Sequence, residues 1–142
     1  MIEVKEQGKS IELFIDGLLW MSNQPQEIKN IERVVKTAKG NCFVGGLGLG
    51  LVVQELLKIR EVEHVDVVEI NREVIETCSR RVIDKRVSIY EGNAKTFFPN
   101  SSYDWIYYDI WLSPTLEEIE ECKTASFPYL KDSGVFEFYK EE

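Results

Sequence analysis

The N-terminal part of the chain alternates between hydrophobic and polar residues with the period of two that is typical of β-strands. Short strands are expected at residues 2–4, 11–15 and 18–21. The pair Asp16-Gly17 is a common hairpin turn, and it lies between the last two of these strands. Residues 1–22 are therefore expected to form a small antiparallel β-hairpin appendage.

Beyond Pro25, the hydrophobic spacing switches repeatedly between the periods of a helix and a strand. Strands are predicted at residues 42–44, 65–70, 87–90, 105–110 and 135–138. Helices are predicted at residues 25–38, 49–59 and 72–81, with a short helical turn at 94–98. A last helix is predicted from Thr115, which forms a capping box with Glu118 and places Leu116 and Ile119 inward.

Strands that alternate with helices predict right-handed βαβ crossovers and a parallel sheet covered on both faces. Residues 23–142 are therefore expected to form one doubly wound, Rossmann-like α/β domain with a mainly parallel sheet. No internal repeat or second large domain is indicated.

The composition restricts the possible partners. The formal net charge of −8 repels phosphate backbones, so nucleic acid is not expected to bind. No hydrophobic stretch approaches the length of a membrane span and no signal-peptide core is present, which predicts a cytoplasmic protein without membrane contact. The three cysteines and one histidine lack metal-ligand spacing, so no metal is expected.

A glycine-rich turn follows the first strand of the predicted parallel sheet. Its residues 45–50 read Gly-Gly-Leu-Gly-Leu-Gly. Such a turn brings the backbone close to a ligand, and its free N–H groups favour an anion such as a pyrophosphate or the carboxylate of a methionine moiety. A nucleotide triphosphate site would need Lys-Ser/Thr after the turn, and a dinucleotide fingerprint would need glycine where Leu51 stands. The spacing favours S-adenosylmethionine, and a glycine-rich turn without a ligand is the alternative.

Three polar residues lie at the ends of the next strands. Glu69 can accept hydrogen bonds from both ribose hydroxyls, although dinucleotide sites share this feature. Asn93 can bond an adenine edge, or simply form a turn with Gly92. Asp109 can hold an amine or accept a proton, or cap the following helix. The predicted cofactor contacts are Gly45, Gly46, Leu47, Gly48, Gly50, Glu69, Ile70, Asn93 and Ala94. The predicted substrate contacts are Asp109, which is also the catalytic candidate, and Trp111.

At these residues, the chain resembles the class I S-adenosylmethionine-dependent methyltransferases, and within them the spermidine synthase-like group. The resemblance covers about residues 13–110. It is carried by Leu-Phe-Ile-Asp-Gly at 13–17, the glycine-rich turn, Val-Glu-Ile at 68–70 and the Tyr-Asp-x-Ile-x-x-Asp strand at 103–109. It implies the class I methyltransferase fold, here shortened at the C-terminus, and either S-adenosylmethionine or its decarboxylated form as the bound cofactor.

The chain also departs from the synthases of this group. They carry Gln where Trp20 stands, Asp where Gly48 stands, and a second acid after the fourth strand that this chain lacks. Their Tyr-His-Glu-Met motif is also absent from residues 27–34. These losses favour methyl transfer to an unidentified small-molecule acceptor. Aminopropyl transfer and a catalytically silent binding module are the alternatives, and a homodimer through the hairpin or the last strand is a further expectation.

Overall fold

The computed structural model of the protein describes residues 1–139 and contains two β-sheets. The first is an antiparallel N-terminal sheet. Its strands are β1 (Ile2–Gln7), β2 (Ser10–Ile15) and β3 (Leu18–Ser22). Asp16 and Gly17 connect β2 to β3 with positive φ angles of 50° and 80°, as a tight hairpin turn requires. The predicted N-terminal hairpin sheet is thus confirmed, with all three of its expected strands present.

A β-bulge interrupts the pairing of β2 with β3. Leu13 lies opposite Met21 and Phe14 lies opposite Leu19, so that Trp20 is an additional residue on β3. A bulge breaks the strict alternation of side chains between the two faces of a sheet and re-aims the side chain at its position. Consequently, Trp20 and its neighbour Met21 both contact the main hydrophobic core.

The second sheet has five strands, and every pair of neighbours is parallel. The strands are β4 (Gly40–Gly45), β5 (Val62–Glu69), β6 (Val87–Glu91), β7 (Tyr103–Tyr108) and β8 (Leu130–Phe138). They lie in the order β6-β5-β4-β7-β8, which reverses direction at β4. Ligands of such sheets bind outside the carboxyl ends of the strands at this reversal.

Helices cover this sheet on both faces. They are α1 (Pro25–Val35), α2 (Leu51–Leu56), α3 (Arg72–Cys78) and α4 (Leu116–Ser126). On one face, Ile31 of α1, Val53 of α2 and Val74 of α3 share a core with the stacked rings of Trp105 and Tyr107. The predicted doubly wound, Rossmann-like α/β fold is therefore confirmed.

The opposite face carries a smaller, aromatic core. Phe43 and Ile106 meet Cys122 of α4 there, and the ring of Phe98 stacks on Tyr129 with centroids 4.2 Å apart. Helix α4 begins with the predicted capping box: the Thr115 hydroxyl accepts from the Glu118 N–H at 3.1 Å and the Glu118 carboxylate accepts from the Thr115 N–H at 2.9 Å. Both cores attach helices to the strands that carry the site.

Two local predictions were wrong. Leu116 is 84% exposed, because α4 turns the small side chains of Cys122 and Ser126 toward the sheet instead. The last strand begins at Leu130 rather than at 135. The helical turn predicted at 94–98 is present as a single turn, in which the N–H groups of Thr96 and Phe97 donate to the Asn93 carbonyl at 3.0 and 2.9 Å.

Within residues 1–139, every helix is too short or too polar to cross a lipid bilayer.

Candidate functional site

A pocket of about 400 Å³ opens at the carboxyl ends of β4, β5 and β7. The N-terminal sheet covers one side of it. The lining residues are Leu13, Ile15, Trp20, Gly46, Gly48, Val68, Glu69, Ile70, Asn71, Val74, Asn93, Ala94, Lys95, Asp109 and Ile110. The pocket therefore lies where the strand order reverses, and it brings together residues from both sheets.

The glycine-rich turn forms the floor of the pocket. Gly46, Gly48 and Gly50 have φ angles of +101°, +51° and +79°, a region that other residues rarely adopt. A side chain at Gly46 would collide with the backbone carbonyl of Asp109. The Asp109 N–H in turn donates to the Gly45 carbonyl at 2.8 Å, which holds the ends of β4 and β7 together. Glycine is thus required at position 46 by both conformation and space.

Most backbone donors of this turn are already used within the protein. The N–H groups of Gly46 and Gly50 donate to the carbonyls of Val68 and Leu47, each at 2.8 Å. The N–H of Leu47 donates to Glu69, and the N–H of Leu49 points to the Met21 sulfur at 3.4 Å. Among residues 46–50, only the N–H of Gly48 has no acceptor within residues 1–139.

This use of the donors corrects the sequence-based expectation of free N–H groups that would hold an anion. The sequence shows the glycines, but it does not show that a buried glutamate and a methionine sulfur from other strands occupy the donors. In addition, α2 has only six residues, so the dipole of this helix attracts an anion only weakly. The turn therefore offers little to a ligand carboxylate.

Glu69 lies at the end of β5 and is only 8% exposed. Its Oε1 accepts from the Leu47 N–H at 2.8 Å and its Oε2 accepts from the Asn71 N–H at 2.9 Å. Each carboxylate oxygen has a second lone pair that can accept from a ligand hydroxyl. Glu69 therefore joins the glycine-rich turn to the start of α3 and keeps acceptor capacity toward the pocket.

Asp109 follows directly after β7 and is partly buried in the pocket wall. Burial, and then the negative charges of Glu27 and Glu69, raise the pKa of its carboxyl to about 7. No residue in 1–139 donates a hydrogen bond to this carboxylate. An unpartnered carboxylate with a pKa near neutrality can bind a cationic group and can also accept a proton.

The far end of the pocket is polar. The Asn93 side-chain oxygen accepts from the Lys95 N–H at 2.9 Å, which leaves its amide group available as a donor toward the pocket. The Lys95 ammonium forms an ion pair with Glu121 of α4 at 2.8 Å. The basic side chain that lines the pocket is thus already neutralised by an acid.

The structure brings most of the predicted site residues together. Gly46, Gly48, Glu69, Ile70, Asn93, Ala94 and Asp109 line the pocket. Gly45, Leu47 and Gly50 lie in the turn behind it and support its shape. Trp111 packs against the ring of Tyr108, with centroids 6.2 Å apart, and does not line the pocket.

The sequence interpretation missed the wall that the N-terminal sheet contributes. Leu13, Ile15 and Trp20 line the pocket although they lie far from the glycine-rich turn in sequence. The alternation of β2 places Leu13 and Ile15 on one face, which was a usable signal. Only the register of β2 with β3 shows that the bulge turns Trp20 toward the pocket.

The chain resembles known proteins in both sequence and fold. No family model matches the chain. The polyamine aminopropyltransferase of Lachnoclostridium phytofermentans is 28% identical over 123 residues, which cover 77% of this chain and 43% of the relative. That of Clostridioides difficile is 30% identical over 134 residues, covering 77% of this chain and 47% of the relative. The chain thus spans less than half the length of these relatives.

Solved structures that share the fold of this chain include spermidine synthases. Spermidine synthase from Thermotoga maritima superposes with a TM-score of 0.71 at 22% identity, covering 95% of this chain and 52% of that chain. A spermidine synthase in complex with the transition state analogue AdoDATO gives the same TM-score over 51% of its chain. The DhpI–SAH complex has a TM-score of 0.63 at 17% identity and covers 80% of this chain and 54% of that chain.

These comparisons correct the functional expectation. The expectation of methyl transfer is contradicted, because the curated relatives are named polyamine aminopropyltransferases. The sequence motifs that indicated a methyltransferase are motifs of the fold, and enzymes that catalyse several different reactions share this fold. The chain has the class I methyltransferase fold in its spermidine synthase-like form.

Proposed function

We propose that this chain forms the donor-binding part of an aminopropyltransferase and binds decarboxylated S-adenosylmethionine in the pocket at the glycine-rich turn. The names of its relatives support this reaction class. A solved spermidine synthase in complex with the transition state analogue AdoDATO shares the fold, which supports an adenosyl ligand for this chain.

The observation that carries the proposal is the charge of the pocket. Glu69 and Asp109 line it, and Glu27 lies close enough to raise the pKa of Asp109. The basic residue Lys95 is paired with Glu121, and the N–H groups of the turn are largely used. A ligand carboxylate would therefore meet negative charge and few free backbone donors, whereas a decarboxylated donor carries no anionic group.

The protein groups have separate roles in this proposal. Glu69 accepts hydrogen bonds from the ribose hydroxyls, and the Asn93 amide donates to the adenine edge. The bound donor supplies an activated carbon next to a sulfonium. Asp109 orients the attacking amine and takes the proton that the nitrogen releases as the new C–N bond forms and the C–S bond breaks. The electron pair of the broken bond stays on sulfur, which leaves as methylthioadenosine.

Calorimetric titration and product analysis test this proposal. We expect the decarboxylated donor to bind about tenfold tighter than S-adenosylmethionine, and methylthioadenosine to accumulate only when an amine is added. Tighter binding of S-adenosylmethionine would contradict the proposal. Binding without any product, over a panel of mono-, di- and triamines, would instead identify a catalytically silent module.

Glu69→Gln tests the nucleoside end of the site. An amide has one acceptor oxygen, so it cannot accept from both the Leu47 and the Asn71 N–H groups, and its own NH₂ faces the other donor. We expect the affinity for methylthioadenosine to fall by about a hundredfold, measured by calorimetry. Glu91→Gln, at an exposed glutamate that ends the neighbouring strand, is the control. Equal affinities in the two variants would refute this role of Glu69.

The division into residues 1–22 and 23–142, the homodimer and the cytoplasmic location stay predictions. Size measurement in solution tests the homodimer directly.

A further inference from the structure

The bulge in β3 places Met21 against the glycine-rich turn. Met21 lies opposite Leu13 in the N-terminal sheet and directly after Trp20, and both of these neighbours line the pocket. A Cβ atom at Gly48, which also lines the pocket, would lie 2.7 Å from the Met21 methyl carbon and 2.9 Å from its sulfur. Met21 itself is only 7% exposed. Its thioether therefore fills the space directly behind this part of the pocket wall.

The Met21 sulfur also occupies a backbone donor of the turn. The Leu49 N–H donates to this sulfur at 3.4 Å. A ligand carboxylate would be a much stronger partner for the N–H, because a thioether sulfur is neutral and a weak acceptor. However, the carboxylate oxygen would need the position that the sulfur holds. The thioether can leave it only by opening a cavity in the hydrophobic core in which Met21 packs, which is unfavourable.

A second donor lies next to the first one in the chain. The N–H of Gly48 has no acceptor within residues 1–139. Successive backbone N–H groups of a turn can form a concave site that binds one anion together. With the thioether in place, only the first N–H of this pair is available to a ligand. Met21 thus closes half of a possible carboxylate subsite at Gly48 and Leu49.

We propose that Met21 determines the donor specificity of this chain, because its thioether closes the carboxylate subsite at Gly48 and Leu49. This inference rests on the proposed binding of decarboxylated S-adenosylmethionine. The decarboxylated donor carries a hydrogen atom in place of the carboxylate, so it loses no partner at this wall. S-adenosylmethionine would have to leave its carboxylate short of donors in a pocket that Glu69 and Asp109 make negative, which is unfavourable.

The test compares decarboxylated S-adenosylmethionine with S-adenosylmethionine, which differ only in the carboxylate. Binding of each is measured by calorimetry to the intact native chain and to Met21→Ala. The native chain is expected to prefer the decarboxylated donor by about tenfold, and Met21→Ala is expected to lose this preference through about tenfold tighter binding of S-adenosylmethionine. Affinity for the decarboxylated donor should stay within about threefold. An unchanged ratio of the two affinities would overturn the inference.

This ratio separates the role of Met21 in specificity from a role in packing. Met21→Leu keeps an apolar atom at the δ position and is expected to retain the preference. Met21→Val has no δ atom, so it is expected to lose the preference, and it replaces Met21→Ala if that variant does not fold. Leu56→Ala is the matched control, because Leu56 is fully buried in the same core and does not line the pocket. Loss of the preference in Met21→Leu or Leu56→Ala would overturn the inference.

The outcome is separable from that of the proposed function. If the decarboxylated donor is preferred and Met21→Ala does not alter the preference, only the inference about Met21 fails. If Met21→Ala removes the preference but no amine yields methylthioadenosine, the aminopropyl transfer fails and the inference about Met21 holds. A native chain and a Met21→Ala variant that both bind neither ligand would overturn both.

Discussion

Asp109→Asn is expected to lower the rate of methylthioadenosine formation by about a hundred- to ten-thousandfold, the usual contribution of a positioned general base. Asn has nearly the shape of Asp but cannot take a proton from the attacking amine. The backbone bond from the N–H of residue 109 to the Gly45 carbonyl is retained. We therefore expect donor binding to persist within about threefold while turnover is lost.

The same variant tests the pKa of Asp109. Since the carboxylate form is the active base, kcat/KM of the native chain relative to the Asn variant is expected to rise with pH and to level off above about 7. The titration of the substrate amine is common to both proteins and cancels in this ratio. A flat ratio between about pH 5 and pH 9 would contradict a base at Asp109.

Stability is expected to change in the opposite direction to activity. The pKa of Asp109 is raised from 3.8 to about 7 on folding, so the folded chain retains a proton that the unfolded chain has lost in this interval. The contribution of Asp109 to stability therefore falls as pH rises from about 4 to about 7. Above that range its charge opposes folding, because burial removes the carboxylate from water and Glu27 and Glu69 repel it.

Consequently, Asp109→Asn should unfold at a higher denaturant concentration than the native chain at about pH 8, and this difference should disappear toward about pH 4. Asp132→Asn, at an exposed aspartate of β8, is the control and should change neither activity nor stability. Loss of activity combined with a loss of stability at about pH 8 would indicate that Asp109 has a structural role instead.

Gly46→Ala is expected to have the largest effect on the fold. The new methyl group meets the Asp109 carbonyl, which cannot move without breaking the contact between β4 and β7. The positive φ of 101° adds strain. We expect the free energy of unfolding to fall by about 3–4 kcal/mol, and affinity for methylthioadenosine to be lost even under conditions where the variant is folded.

Gly8→Ala separates these two causes. Gly8 also has a positive φ, of 61°, but a methyl group there meets nothing within 4 Å. We expect a cost of about 1 kcal/mol, from backbone strain alone. The difference between the two variants, measured by urea unfolding, gives the cost of the collision at Gly46. Equal costs would show that the end of β7 can shift away from the turn.

Local patterns were sufficient for much of this fold. The alternation of hydrophobic residues identified the N-terminal hairpin, and Asp16-Gly17 identified its turn. The order of strands and helices predicted a parallel, doubly wound sheet, because short βαβ crossovers permit few other arrangements. The capping box at Thr115 and Glu118 was also predicted, since both partners lie within one helical turn.

Part of the site was predictable for the same reason. In a parallel sheet, the carboxyl ends of the strands meet at one edge, so polar residues that follow successive strands come together. Glu69, Asn93 and Asp109 were placed at this edge from sequence, and they line one pocket. The choice between methyl and aminopropyl transfer was not predictable in this way, because the donor-binding motif belongs to the fold and not to the reaction.

The sequence by itself determined the set of helices and strands, and the edge of the sheet at which the polar site residues gather. Both follow from the spacing of hydrophobic residues and from the order of neighbouring elements along the chain. What only the tertiary structure decided is which groups at that edge are still available. Glu69 and Met21 occupy backbone donors of the glycine-rich turn, Glu121 pairs with Lys95, and the bulge turns Trp20 toward the pocket. These contacts join residues far apart in sequence, so their geometry depends on how the two sheets pack and on strand register, which no local pattern specifies.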